Sequence, residues 1–202
     1  MLLQGVIVGL AGADGPFAEE LARGLVDHGA HLTPLDGNLP LDGVVHCCTD
    51  ADALAPASFE SLDPHAWDVR CEAVLRAAID TCRIAHARMS ARGGAVVFVT
   101  PAVSLVGAAG YAASTAGLEG VRSLVKSAAR QWGSVGITVA CVAPGLDLVV
   151  PDAPAPVERA ALARSPEVRT EVAGAVAFLL SGAARGVTGA TIVVDGGSVM
   201  SP

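Results

Sequence analysis

The chain has 202 residues, 52% apolar but only 3% aromatic, so it can bury one substantial core that Ala, Val, Leu and Ile must fill. Its net charge is −7 and its 13 Lys and Arg residues are scattered, which leaves no basic face to track phosphates and excludes nucleic acid as a partner. The longest apolar run, Val172 to Leu180, is too short to span a bilayer.

The N-terminal apolar run has no basic residue before it, the first arginine being Arg23, so it is not a secretory signal and a cytoplasmic location is expected. The odd set of Cys47, Cys48, Cys71, Cys82 and Cys141 lacks framework spacing and reads as reduced thiols. His46-Cys47-Cys48 has no second ligand pair at zinc spacing, so no metal site is expected.

In chain order, residues 5–11 form a strand that ends in the turn Gly12-Ala13-Asp14-Gly15-Pro16. Phe17, Ala18, Leu21, Ala22 and Leu25 then mark a helical stripe closing at Gly29. Ala30–Leu35 and Gly43–Cys47 read as the next strands, followed by a helix over about Pro64–Met89. On it Cys71, Val74, Leu75, Ala78, Ile79, Cys82, Ala85 and Met89 recur at helical spacing.

Ala95–Val99 is a strand, residues 111–131 a helix with Leu118, Val121, Leu124, Val125 and Ala128 on its apolar stripe, and Ile137–Val142 a strand. A Pro-rich loop over Val150–Pro156, a helix over 168–181 and a last strand at Thr191–Val194 complete the chain. Strands alternating with helices predict one α/β domain over 1–202, a Rossmann-like doubly wound parallel sheet of about six strands.

One junction is too short for this pattern. Only Gly37 to Asp42 separate Asp36 from Gly43, whereas a parallel crossover needs a dozen residues or more, usually with a helix. Six extended residues reach roughly 20 Å, enough only to return from the top of one strand to the bottom of the next.

Four segments carry a family resemblance: the strand Ala95–Val99, then Tyr111-Ala112-Ala113-Ser114-Thr115-Ala116-Gly117, then Gly136–Gly145, and finally Val187–Gly197. In that order and at that spacing they resemble the short-chain dehydrogenase/reductase family. The resemblance covers 92–197 and extends more loosely over 1–90. It implies an oxidoreductase fold whose helix–strand–helix stretch after the second strand is absent here. That stretch would supply an edge strand and part of the adenine pocket.

The resemblance also assigns site positions. Tyr111 falls on the family's acid/base tyrosine, but the partner lysine position is Thr115, the serine position is Pro101 and the asparagine position is Val74. An unperturbed tyrosine titrates near 10 and an efficient base near 7, a gap of about 4 kcal/mol that the lysine normally helps to close. Thr115 cannot supply that charge. Of the three glycines in the family's nucleotide turn only Gly12 is matched, the others being Pro16 and Ala18; Gly15 serves only if the turn shifts by one residue. Asp36 stands where NAD-preferring members hold the ribose, so NAD is the cofactor implied if there is one, and the residues present predict none. His46 is the one histidine placed to act as a replacement base.

The expected function is therefore a non-catalytic subunit, forming a homo- or hetero-oligomer with an active paralogue through the faces of residues 66–90 and 111–131. The resemblance connects such subunits with 3-hydroxyacyl or 3-oxoacyl thioesters. A divergent but active NAD-dependent oxidoreductase, and a nucleotide-sensing or scaffold protein, are the alternatives.

Overall fold

The computed structural model describes residues 1–12, 14–151 and 161–200. Six strands, β1 (Ile7–Ala11), β2 (His31–Pro34), β3 (Gly43–Cys47), β4 (Gly94–Val99), β5 (Ile137–Pro144) and β6 (Thr191–Val194), form one sheet in the order β2-β1-β3-β4-β5-β6. Every pairing is parallel. The order reverses between β1 and β3, and such a switch point opens a crevice at the carboxyl ends of the strands.

Helix α1 (Pro16–Asp27) follows β1. After β3 a continuous helix runs through α2 (Pro64–Trp67), one π turn (Asp68–Glu72) and α3 (Ala73–Met89), as its periodicity predicts. The Asp63 carboxylate starts it by accepting the Ala66 amide at 2.7 Å. Short helix α4 (Val103–Val106), long helix α5 (Ala112–Trp132), short helix α6 (Leu146–Val149) and, after a second π turn (Val168–Val172), α7 (Ala173–Leu180) complete the set. The two short helices have no counterpart in the sequence reading, because one turn is too brief to show a period. Of the Pro-rich loop expected over Val150–Pro156, residues 152–156 lie outside those described.

The strands alternate strictly between two cores. Val96, Phe98, Val139 and Cys141 face α3 and α5, whereas Ala95, Val97, Ala140 and Val142 face α1 and α7. Burial on both faces explains the nearly unbroken apolar strands. Small residues then set the layer spacing: Gly117 of α5 lies so close to the first π turn that a Cβ there would stand 3.0 Å from Cys71 Cα.

The short junction is resolved without a helix or a strand. Between Pro34 and Gly43 the chain turns back so that buried Leu35 and Leu41 close over Gly9 of β1. Asp42 fixes the return: its carboxylate accepts the Ile7 amide at 2.9 Å, its own amide donates to the Ile7 carbonyl at 2.9 Å and its carbonyl accepts the Ala95 amide at 3.2 Å. Arg88 of α3 donates to the Leu35 and Leu39 carbonyls. Strand β2 is thus the sheet edge, four residues long with Pro34 exposed at its end, features that discourage pairing with another edge.

Among the described residues no helix is long and apolar enough to cross a membrane. Gly24 of α1 packs on the second π turn so tightly that a Cβ would overlap the Arg169 carbonyl and Ala173 Cβ. Gly24→Ala should therefore destabilise the protein by about 1–3 kcal/mol, despite the gain in helix propensity, as checked by urea unfolding.

Candidate active site

Three sets of residues follow the carboxyl ends of the central strands: Gly12, Asp14 and Gly15 after β1, Cys48–Ala53 after β3, and Thr100–Ser104 after β4. The first two, with the facing side of α3 and the π turn before it, enclose a cleft of about 500 Å³ at the switch point. Gly12 (φ 62°) and Gly15 (φ 92°) turn the chain in the left-handed region, which suits glycine. Gly12 has a packing reason as well, since a Cβ there would strike the Cys47 carbonyl. Gly15 is the N-cap of α1 and Pro16 its first residue, so the helix opens with one amide donor fewer. Asp14, Asp50 and Asp52 line the cleft, while no arginine or lysine does among the described residues. Asp36 is exposed in the turn beyond β2 and does not line it.

His46 is 5% exposed and lines the cleft, with Nδ1 2.7 Å from Thr81 Oγ1 and its ring 5.3 Å from that of Phe98. Burial lowers its pKa to about 4, so the ring is neutral at physiological pH. Val74, at the family's asparagine position, lines the same cleft with an apolar side chain.

Tyr111 is placed differently. It is the N-cap residue of α5, 1% exposed, and it belongs to the core cluster on the α3 and α5 side of the sheet. Its hydroxyl is buried and has no hydrogen-bond partner. Burial raises its pKa, the opposite of what a base at neutral pH requires. Thr115 Oγ1 lies within hydrogen-bond range of the Tyr111 carbonyl at 2.8 Å and the Ala112 carbonyl at 3.2 Å, so the hydroxyl is turned back on its own helix. The chain's single lysine, Lys126, is exposed on α5 and lies about 22 Å farther along the helix axis. Pro101 is buried, and its carbonyl accepts the Ser104 hydroxyl at 3.1 Å.

The sequence reading missed Arg122. It is 3% exposed on α5, three turns beyond Tyr111, and donates to Glu119 Oε1 at 2.7 Å, to Thr100 Oγ1 at 3.2 Å and to Ser104 Oγ. It therefore ties α4 to α5 in the segment that carries the family's serine position. The signal was present: residue 122 stands four after Leu118, on the apolar stripe, where a charge must find partners.

The five cysteines are free. Burial raises the Cys47 thiol to about 12 and Cys141 to about 11, so neither is a ready nucleophile. Among the described residues no group of three or more His, Cys, Asp or Glu side chains is arranged to hold a metal.

Residues 37–199 match a family model described as enoyl-(acyl carrier protein) reductase. The chain belongs to the short-chain dehydrogenase/reductase family. It is 33% identical to Nodulation protein G of Rhizobium sp. (strain N33), over 98% of this chain and 88% of that protein. Cis-4-hydroxycyclohexanecarboxylate dehydrogenase of Sinomonas cyclohexanicum is 38% identical over 78% of this chain and 65% of its own. For the 3-oxoacyl-(acyl-carrier-protein) reductase FabG of Staphylococcus aureus (strain Mu50 / ATCC 700699) the identity is 36%, over 66% and 57%. In fold the chain matches the Bacillus cereus enoyl-acyl carrier protein reductase, solved with NADP+ and indole naphthyridinone, with a TM-score of 0.80 over 97% of both chains at 22% identity.

Two stability measurements probe the site. Tyr111→Phe removes an unpartnered buried hydroxyl and should leave the melting temperature unchanged or raise it, since such a group costs about 1–3 kcal/mol. A clear loss of stability would show that the hydroxyl has a partner in solution. For His46 the folded pKa lies below the ordinary 6.5, so its contribution is complete above 6.5 and is lost as pH falls toward about 4. The span corresponds to about 3 kcal/mol at 1.36 kcal/mol per unit. Unfolding free energies measured from pH 7 to 4 should fall less steeply in His46→Asn.

Proposed function

We propose that this chain is a non-catalytic member of its family that assembles with, and supports, an active short-chain dehydrogenase/reductase. The observation that carries the reading is the burial of the Tyr111 hydroxyl in an apolar core, without a cation or any other polar partner. A phenol so placed is a weaker base than one in water and is closed to a substrate. Pro101 and Val74 offer no hydroxyl or amide in the serine and asparagine positions.

Cofactor loss belongs to the same proposal. Pro16 removes a donor from the helix that would receive the pyrophosphate, Asp14, Asp50 and Asp52 oppose its charge, and the eight-residue return 35–42 leaves no strand beyond β2 to flank the adenosine. The alignment with Nodulation protein G, 219 positions against the 202 residues here, opens gaps in this chain and supports a deletion.

Assembly would use the outer faces of α3 and α5. Between them runs a groove of about 390 Å³ with Ile79, Cys82 and Leu124 half-buried along it and Trp132 at one end. Half-buried apolar side chains in one groove fit an interface, where each contributes roughly 1.5–3 kcal/mol on full burial before the cost of association. A 3-oxoacyl or 3-hydroxyacyl thioester is the proposed substrate class of the partner, supported by the name of the FabG relative. A divergent active enzyme using His46 is the second reading, favoured by the place of that ring in the cleft wall.

Assayed alone, the protein should oxidise neither NADH nor NADPH with a 3-oxoacyl thioester, and Thr115→Lys should not restore turnover because Pro101 and Val74 remain. Turnover that Tyr111→Phe or His46→Asn abolishes would overturn the proposal. Sedimentation, alone and mixed with a complete family member from the same organism, should show a dimer or larger species that Leu124→Asp disperses. A strict monomer in both samples would refute the assembly role.

A further inference from the structure

The turn after β3 stands between the switch-point cleft and the start of α5. Asp50, Asp52 and Ala53 line the cleft, and Tyr111 does not. On its other side the same segment is fastened to α5. The Ala53 carbonyl accepts the buried Ser114 hydroxyl at 2.6 Å, and the Ala57 amide donates to the Gly110 carbonyl at 2.8 Å. Gly110 and Ser114 flank Tyr111 in the chain, so the two bonds bracket it. Pro56 lies against Gly110, where a Cβ would meet that of Pro56 at 3.2 Å. Arg70 of the first π turn adds a third bond, from Nε to the Ala55 carbonyl at 3.0 Å.

We infer that residues 50–57 form a latched partition that shuts Tyr111 off from the cleft and is released locally, with the sheet intact, when a latch is removed. This rests on the proposed reading of Tyr111 as a sealed phenol and names the segment that seals it. Ala53 is the shared element, since it lines the cleft while its carbonyl holds α5. The hold is light. Within the segment Ala53 and Leu54 are buried, whereas Asp50, Ala51, Asp52 and Pro56 are exposed, and segments with few buried apolar contacts open before the core does. The closed state also leaves Thr49 Oγ1, beside the turn, and the Tyr111 hydroxyl sealed without partners. A hydroxyl so placed has lost its bonds to water and gained none, so release of the partition relieves that cost. Release does not make the phenol a base, because Thr115, Pro101 and Val74 stay as they are.

Nitration tests this on the full chain, because Tyr111 is its only tyrosine. Tetranitromethane is applied at constant pH, and nitrotyrosine is read by mass in the peptide that carries residue 111. Amide exchange at Cys48, which donates to the Val99 carbonyl at 2.9 Å, reports the sheet in the same samples. Ser114→Ala removes one latch and Ala57→Pro removes the other. Each should be nitrated about tenfold or more faster than the wild type with Cys48 protection kept, as local opening requires. Nitration at the wild-type rate in both variants would overturn the inference, and so would nitration that rises only as Cys48 protection is lost. The same variants are assayed with a 3-oxoacyl thioester and NADH or NADPH. Turnover gained by Ser114→Ala would support the partition and overturn the non-catalytic reading, faster nitration without turnover would support both, and an unchanged rate without turnover would reject the partition alone.

Discussion

The return from β2 to β3 sets the rest of the molecule. Eight residues between Pro34 and Gly43 must carry the chain from the carboxyl end of one strand to the start of the next, a span that leaves no room for a crossover helix. Asp42 makes the short path possible by bonding β1 through Ile7 and β4 through Ala95, so that β3 enters the sheet between them in register. Leu35 and Leu41 cover β1 at Gly9. The sheet therefore ends at a short, Pro-terminated strand.

The other half of the site lies around α5. The helix is capped by Tyr111, Gly117 makes its close approach to Cys71, and Val121 and Val125 fill the core. The polar side chains on that backbone are engaged locally. Thr115 satisfies its hydroxyl within the helix, and Arg122, a buried cation, is spent on holding Thr100, Ser104 and Glu119. Positive charge is present in the core but is directed at α4 rather than at the phenol. A satisfied buried network of this kind rigidifies the packing of α4 on α5.

Much of this was legible in the sequence because the period and the spacing are strong. The strand alternation, the long helix from Pro64 and the short junction after Asp36 all follow from residue order, and the structure places each as expected. What residue order could not carry was orientation. Tyr111 in the sequence is a motif match; only the fold shows it 1% exposed within the core. Arg122 looked like one more scattered charge, since nothing local shows that Thr100 and Ser104 converge on it from another strand and helix. The acidic rim is likewise assembled from the turn after β1 and the segment after β3, which meet only in the fold.

The account turns on the state of one phenol, and Tyr111 is the only tyrosine in the chain. Phenolate absorbance in the near ultraviolet, followed against pH on the native protein, reads that group alone. A sealed, unassisted hydroxyl should resist ionisation beyond the ordinary tyrosine value of about 10 and should titrate only as the fold is lost, seen by circular dichroism on the same samples. Reversible ionisation of the folded protein near neutral pH would mean that the phenol is activated, and would contradict the reading of this chain as a non-catalytic subunit.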